Sequence, residues 1–545
     1  MKTLIRCFGY GAAQKAKQRI ITAVVLVLPL VTPAAVRVWN GSYSGNWSAA
    51  QNWDGNKAPV NGDELVFPPG ALNPINTNNN AVTTVHSITF TGSNYVLRGS
   101  GVTVASGINA SHISGTNQLD LNLALGGAQT FSCTNPGASL VTANINNAGF
   151  GLVFSGAGNF VVNGIISGSG DVSKSGLGTL TYRGPRNEYT GTTRVNQGLL
   201  ALECVAYNDA FRGPLVIGDG THSAIVRLTK WNQQLPTNQP VTINMNGLLD
   251  LNNLDDVIGG LLTLQGGEIN SGAGKLTIRS NLVALSSSAT AYVSGRLDLD
   301  GRVCTIDVAD GPANPELVIS AVITNGGIIK NGHGNVEFRG GNTYAGLTII
   351  NDGFIMVRNP AGLGSTVVGT VLNGGNLSLA RVAIADEPLT NNSADSIFQA
   401  DDGASWSGTI MLNADMEVQV LGETLDLSGV IRGNGGICKS QGGTLRFSGA
   451  SANTFRGAVK IYGGTLELAK SGSAVALLNN SALIIGDGIG GKHADVVRYV
   501  GPGANQINAT VPIAINWSGL LDLNGFDDQV GSLTFSGGDL VTGAG

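Results

Sequence analysis

Short alternations of apolar and polar residues fill the chain from about residue 68 to its end. Examples are Val85-His86-Ser87-Ile88-Thr89-Phe90, Leu180-Thr181-Tyr182 and Leu445-Arg446-Phe447. A period of two puts the apolar members of each run on one side of a strand. Residues 119–125 form another such run, plainer strands stand at 409–412 and 423–427, and Gly, Asn and Ser separate the runs. Gly takes positive φ without a Cβ clash, and Asn closes turns with its own side chain. No helix-length amphipathic pattern appears after residue 35. The pattern predicts an all-β protein of many short strands.

The strands are organised by a repeat. Residues 174–202 read KSGLGTLTYRGPRNEYTGTTRVNQGLLAL, and the same order returns at 330–357 and 439–468. Each copy starts on a lysine (Lys174, Lys330, Lys439), followed by a glycine (Gly178, Gly334, Gly443) and an aromatic (Tyr182, Phe338, Phe447). A further glycine follows, then Asn187, Asn342 or Asn453, each two residues before a second aromatic. Gly198, Gly353 and Gly464 precede a last apolar run. Each copy reads as strand, turn, strand, turn, strand. Three short strands cannot bury an apolar face alone, so such units must stack, which is the logic of a solenoid. With twenty to twenty-five residues per turn, about twenty rungs at ~4.8 Å would make a rod on the order of 100 Å. Sandwich and barrel are the other all-β readings, and repetition in fixed order favours the solenoid.

The pattern K-x-G-x-G-T-L-x-[YF]-x-G, then N-x-[YF]-x-G, then G-[TL]-L-x-L resembles the autotransporter-associated β-strand repeat of exported bacterial proteins. Asn335 and Gln441 depart from it where threonine and glycine are usual. The three copies cover under a fifth of the chain, and Gly149 to Gly156 is a degenerate fourth without the lysine. The resemblance implies a parallel β-helix or β-solenoid passenger region and no catalytic residues.

A longer duplication overlies the repeat. Ile217-Gly218-Asp219-Gly220 returns as Ile485-Gly486-Asp487-Gly488, and the phrase LLDLN from Leu248 returns from Leu520. The blocks span about 166–274 and 431–545, and the second is expected to be truncated within its last phrase. The solenoid region is expected over 68–545. Before it, residues 36–67 hold Trp39, Trp47 and Trp53 and a Pro59 to Asp63 turn. They read as an N-terminal cap hiding the first rung, the rival being an aromatic platform for sugars. Residues 1–35 read as a signal peptide. Lys2, Arg6, Lys15, Lys17 and Arg19 precede the apolar run 20–31 and the small-residue stretch 32–35, with cleavage expected after Ala34 or Ala35. That run is too short to span a bilayer comfortably.

Composition narrows the function. Gly is 80 of 545 residues, about twice the usual share, and charged residues are 12%, about half of it. With 42% hydrophobic residues and positive mean hydropathy, ordered β-structure fits better than disorder. Beyond the signal, basic residues number 26 against 36 acidic, a net charge of −10. That argues against nucleic acid and anionic membranes. Cys133, Cys204, Cys304 and Cys438 lie too far apart for neighbouring rungs to pair them, so free thiols are expected.

The candidate chemistry is thin. Asp250, Asp255 and Asp256, with their duplicates Asp522, Asp527 and Asp528, could form a metal or acid–base cluster. Being copied with the whole repeat, they read better as acceptors for turn amides. Lys174, Lys330 and Lys439 are expected to lay their stems on the rung edge with the ammonium in water. Asn187, Asn342 and Asn453 read as turn asparagines, an internal ladder being the alternative. His86, His112, His222, His333 and His493 lack zinc spacing. No catalytic, cofactor or metal residues are assigned. The reading is an exported, extracellular or cell-surface, adhesin-like passenger. Its expected partners are extracellular glycans or cell-surface components, with self-association possible and no membrane insertion of the mature region. A polysaccharide lyase or hydrolase on a β-helix, or a self-assembling surface layer, are the alternatives.

Overall fold

In the computed structural model, residues 34–205, 209–501, 503 and 505–544 are described. The expected signal peptide, residues 1–35, therefore lies outside the described residues, apart from Ala34 and Ala35. The remainder is all-β: one short 3₁₀ turn at Ala50–Asn52 accompanies a long series of strands, and every paired ladder is parallel. The chain winds as a parallel β-solenoid of about 23 turns. At the ordinary strand spacing this is a rod of about 110 Å.

Each turn contributes to three faces, met in the same order. The first face carries Leu123–Leu125, Ile145–Asn146 and Ile166–Ser167, and further on Asp256–Ile258 and Leu276–Ile278. The second carries Leu152–Ser155, Val172–Lys174, Thr193–Val195 and Leu215–Ile217. The third carries Asn159–Val162, Thr179–Tyr182, Gly198–Leu202 and Ala224–Leu228. The alternation seen in the sequence becomes vertical columns in the core. Phe160, Leu180, Leu200, Val226 and Leu249 sit over one another on the third face, all buried. A column of this kind binds each rung to its neighbours by burial, about 1.5–3 kcal/mol for each large apolar side chain. No rung is stable without the next.

The motif aromatics occupy equivalent places. Tyr182, Phe338 and Phe447 are fully buried, each beneath the end of its own copy's last apolar run: Leu202, Val357 and Leu468. One feature was not visible in the sequence. Lys174 and Lys330 lie on the second face, but Lys439 lies on the third, in the ladder continuing from Phe398 and Val418. The whole second block is displaced by one face relative to the first.

At the N-terminal end, Val36–Val38 pairs with Glu64–Phe67. Trp39, Trp47 and Trp53 are fully buried around Phe67, Trp53 edge-on to it and the other two tilted, with Trp39 and Trp53 edge-on to each other at a centroid distance of 5.0 Å. Their indole N–H groups donate to Asn73 O, Asn76 Oδ1 and Trp47 O. No ring face is left for a sugar, so the aromatic-platform alternative fails.

Candidate functional site

The motif lysine stands in a core column. Lys174 lies between Phe154 and Val195, Lys330 between Ile306 and Ile350, and Lys439 between Val418 and Ile461. All three are buried, so the expectation of a solvated ammonium is wrong. The reason is local. After the lysine the chain turns, and the carbonyls of the next two residues converge inward without strand partners. One rung on, a third carbonyl points to the same spot. Lys174 Nζ donates to Ser175 O, Gly176 O and Gln197 O at 3.1, 2.6 and 3.2 Å. Lys330 donates to Asn331 O, Gly332 O and Asp352 O, and Lys439 to Ser440 O, Gln441 O and Gly463 O. An ammonium has three donors, and all are used. Burial pulls each lysine down to about 8, so the amines stay largely protonated at neutral pH. The motif glycine is part of the same device. Gly198, Gly353 and Gly464 all have positive φ, and a Cβ on Gly198 or Gly353 would stand 3.0 or 2.9 Å from the lysine nitrogen.

The motif asparagines also differ from expectation. None is left-handed, and each bridges three rungs. Asn187 Oδ1 accepts from Ile166 N at 2.8 Å while Nδ2 donates to Ala210 O at 3.0 Å. Asn342 does the same with Ile323 N and Gly362 O, and Asn453 with Ile431 N and Ala476 O. At these positions the coil has no strand, so the carboxamide takes the place of ladder hydrogen bonds that the backbone cannot make. The segment around each motif asparagine is thus a corner, as the sequence suggested, but one bridged by its carboxamide to the rungs on either side.

The acidic residues do not assemble. Asp250 accepts from Arg227 Nε at 2.8 Å and from Asn252 N. Asp255 accepts from Lys275 N. Asp256 is buried one corner away, accepting from Gln234 N, Leu235 N and Val257 N, and burial pushes it up to about 7. Its place matches that of the bridging asparagines, since it too reaches backbone N–H groups one rung below. In the second block Asp522 takes Arg498 and Asn524 N, and Asp528 takes Ile507 N, Gln529 N and the Tyr499 hydroxyl. These carboxylates hold rungs and turns together.

The cysteines are free: three are buried and Cys438 is half-buried. His112 is buried against Asn117, while His222, His333 and His493 each meet a separate aspartate. Among the described residues no group of three His, Cys, Asp or Glu is placed to hold a metal ion. Sequence reasoning missed an asparagine ladder on the corner between the second and third faces. Asn351, Asn373, Asn392 and Asn413 each donate from Nδ2 to the Oδ1 of the asparagine one rung below, starting at Asn331, over 2.7–3.3 Å. The signal was asparagine recurring at one-turn intervals directly after each second-face strand.

With this geometry in view, the chain is a repeat solenoid similar to the passengers of autotransporters. Residues 172–202, 328–355 and 439–468 match the passenger-associated-transport-repeat family, on the three lysine-to-apolar copies described above. Among curated proteins, the chain is 26% identical over 466 residues to the Adhesin BmaC autotransporter of Brucella suis biovar 1 (strain 1330). That match covers 74% of this chain and 13% of the relative's length. No solved structure matches the chain.

Proposed function

We propose that this chain is a non-enzymatic, adhesin-like part of an exported passenger displayed outside the cell. It presents an extended surface for weak, multivalent contact with glycans or cell surfaces. The observation that carries this reading is where the motif spends its polar residues. Lysine and asparagine, the constant polar side chains of the repeat, are turned inward to hold rungs together. Repetition therefore lengthens the surface and does not build a unique cleft. The curated relative is itself named an adhesin, which supports the same reading. Among the described residues no helix is long and apolar enough to cross a membrane.

Weak sites on a long rod gain strength through effective concentration. Beads carrying many copies of the chain should therefore adhere to cultured cells far better than the monomer binds them, by about 10²-fold or more in apparent affinity. Equal, weak binding of both forms would remove the multivalent reading. In parallel, the chain should release no product from polyuronates or neutral glycans. Turnover abolished by Asp255→Asn with Asp256→Asn would replace adhesion with a lyase or hydrolase.

A further inference from the structure

The duplicated blocks share a surface feature that the repeat motif does not explain. In the first block, the turns between the second and third faces vary in length from rung to rung. A long turn joins Ile217 to Ala224, short ones join Asn244 to Gly247 and Gln265 to Glu268, and a long one joins Ala284 to Ala291. The long turns stand as walls, the short ones as a floor, and the result is a trough two rungs wide. Met245 lies in it, between cavities of about 510 and 340 Å³. On the adjoining third face, Ile225, Leu248, Glu268 and Tyr292 follow one another outward, rung by rung. Glu268 is exposed and Tyr292 is 41% exposed. Among the described residues Glu268 has neither a side-chain hydrogen bond nor an ion pair, and neither cavity is lined by a lysine or arginine.

The second block rebuilds this floor one face further round. A long turn joins Ile485 to Asp495, and short ones join Asn516 to Gly519 and Ser536 to Asp539. The ladder column is Val496, Leu520, Asp539, in the places of Ile225, Leu248 and Glu268, but here Leu520 is buried. Trp517 stands where Met245 does, and among the described residues no second long turn closes this floor. Here Asp539 is held by Lys492 and His493. The duplication has thus kept an aliphatic floor, a flat or polarisable side chain and a carboxylate at the rim. None of these outward groups satisfies a turn amide, in contrast to Asp219 and Asp487 in the neighbouring loops.

We propose that the trough around Met245 is a binding site for neutral oligosaccharides. The assignment rests on the adhesive reading above and gives it a location. A sugar ring offers an apolar C–H face to Tyr292 or Met245, and its hydroxyls donate to the unpaired Glu268 carboxylate. Asp219 and Glu268 repel phosphate, sulfate and uronate groups, which excludes anionic sugars. The trough is shallow, as a weak site on a multivalent surface requires.

The test is calorimetric titration of the purified chain with cellotetraose, chitotetraose and, as the anionic arm, tetragalacturonate. A neutral tetrasaccharide should bind weakly. Glu268→Gln with Tyr292→Ala should weaken binding by about ten-fold or more, and Trp517→Ala should leave it unchanged. Circular dichroism and melting must match the parent, as expected for exposed side chains. Absence of neutral-saccharide binding, binding indifferent to the Glu268 and Tyr292 substitutions, or tighter binding of tetragalacturonate overturns the assignment. If cell adhesion persists in those cases, the adhesive reading stands without it. Saccharide binding that follows the substitutions in a chain unable to adhere to cells upholds the trough and removes adhesion.

Discussion

Two tyrosines show how the repeat tolerates polar groups in its core. Tyr189 and Tyr344 are fully buried, and each shares a 2.6 Å hydrogen bond with a threonine four residues on, Thr193 or Thr348. The third copy has Phe455 and Val459 at these places, so both partners have been exchanged together. Removing one partner strands a buried hydroxyl, while removing both restores an apolar fit. Thr348→Val alone should cost about 1–3 kcal/mol. Adding Tyr344→Phe should recover most of it in urea melts, and simple additivity would contradict this. The buried lysines carry a pH signature. Their folded-state pKa of about 8 lies below the ordinary 10.5, so between those values the unfolded chain binds more protons than the folded one. Stability should therefore rise as pH goes from 8 towards 10, and the penalty is fully present below 8. Lys174→Met, Lys330→Met and Lys439→Met combined should flatten that rise in thermal midpoints. The sequence showed a constant cation but not its burial, because its partners are main-chain carbonyls, one of them a full turn away.

At the scale of the element, the turn glycines divide into those the coil needs and those it does not. Gly353 has a φ of 62°, and a Cβ there would stand 2.3 Å from Gly334 O. Gly353→Ala should destabilise by well over 1 kcal/mol, whereas Gly341→Ala, whose nearest neighbour would be 3.7 Å away, should be close to neutral. Equal losses in the two variants, by urea denaturation, would show that positive φ and close approach are not what select the motif glycine. Strands were legible at this scale because alternation is local: Leu180-Thr181-Tyr182 reports its own inward face. The turn at Asn187 was legible, but its bridging was not. Its hydrogen-bond partners, Ile166 and Ala210, lie one rung below and one above, and no local pattern announces them.

At the scale of the whole molecule, the described rungs form one stack in which each rests on the next. Residues 36–67 fill the N-terminal end with three buried indoles and a strand laid on Glu64–Phe67. Deleting residues 36–67 removes that covering and uncovers the parallel edge at 87–90, which pairs with Glu64–Phe67 in the intact chain. An uncovered edge is a template for another chain, so the shortened protein should self-associate with concentration in sedimentation velocity. A shortened chain that stays monomeric would count against a capping role for 36–67. The solenoid itself was legible from repetition, but the azimuth of each copy was not. Turn length accumulates along the coil, and the extra strand segments at 382–384 and 404–406 carry the third lysine round by one face. A triangular bar laid on a plane rests on one side at a time. The ladder columns at Leu248 and Leu520 lie on different faces of the coil, so a flat wall laid along one of them does not meet the other.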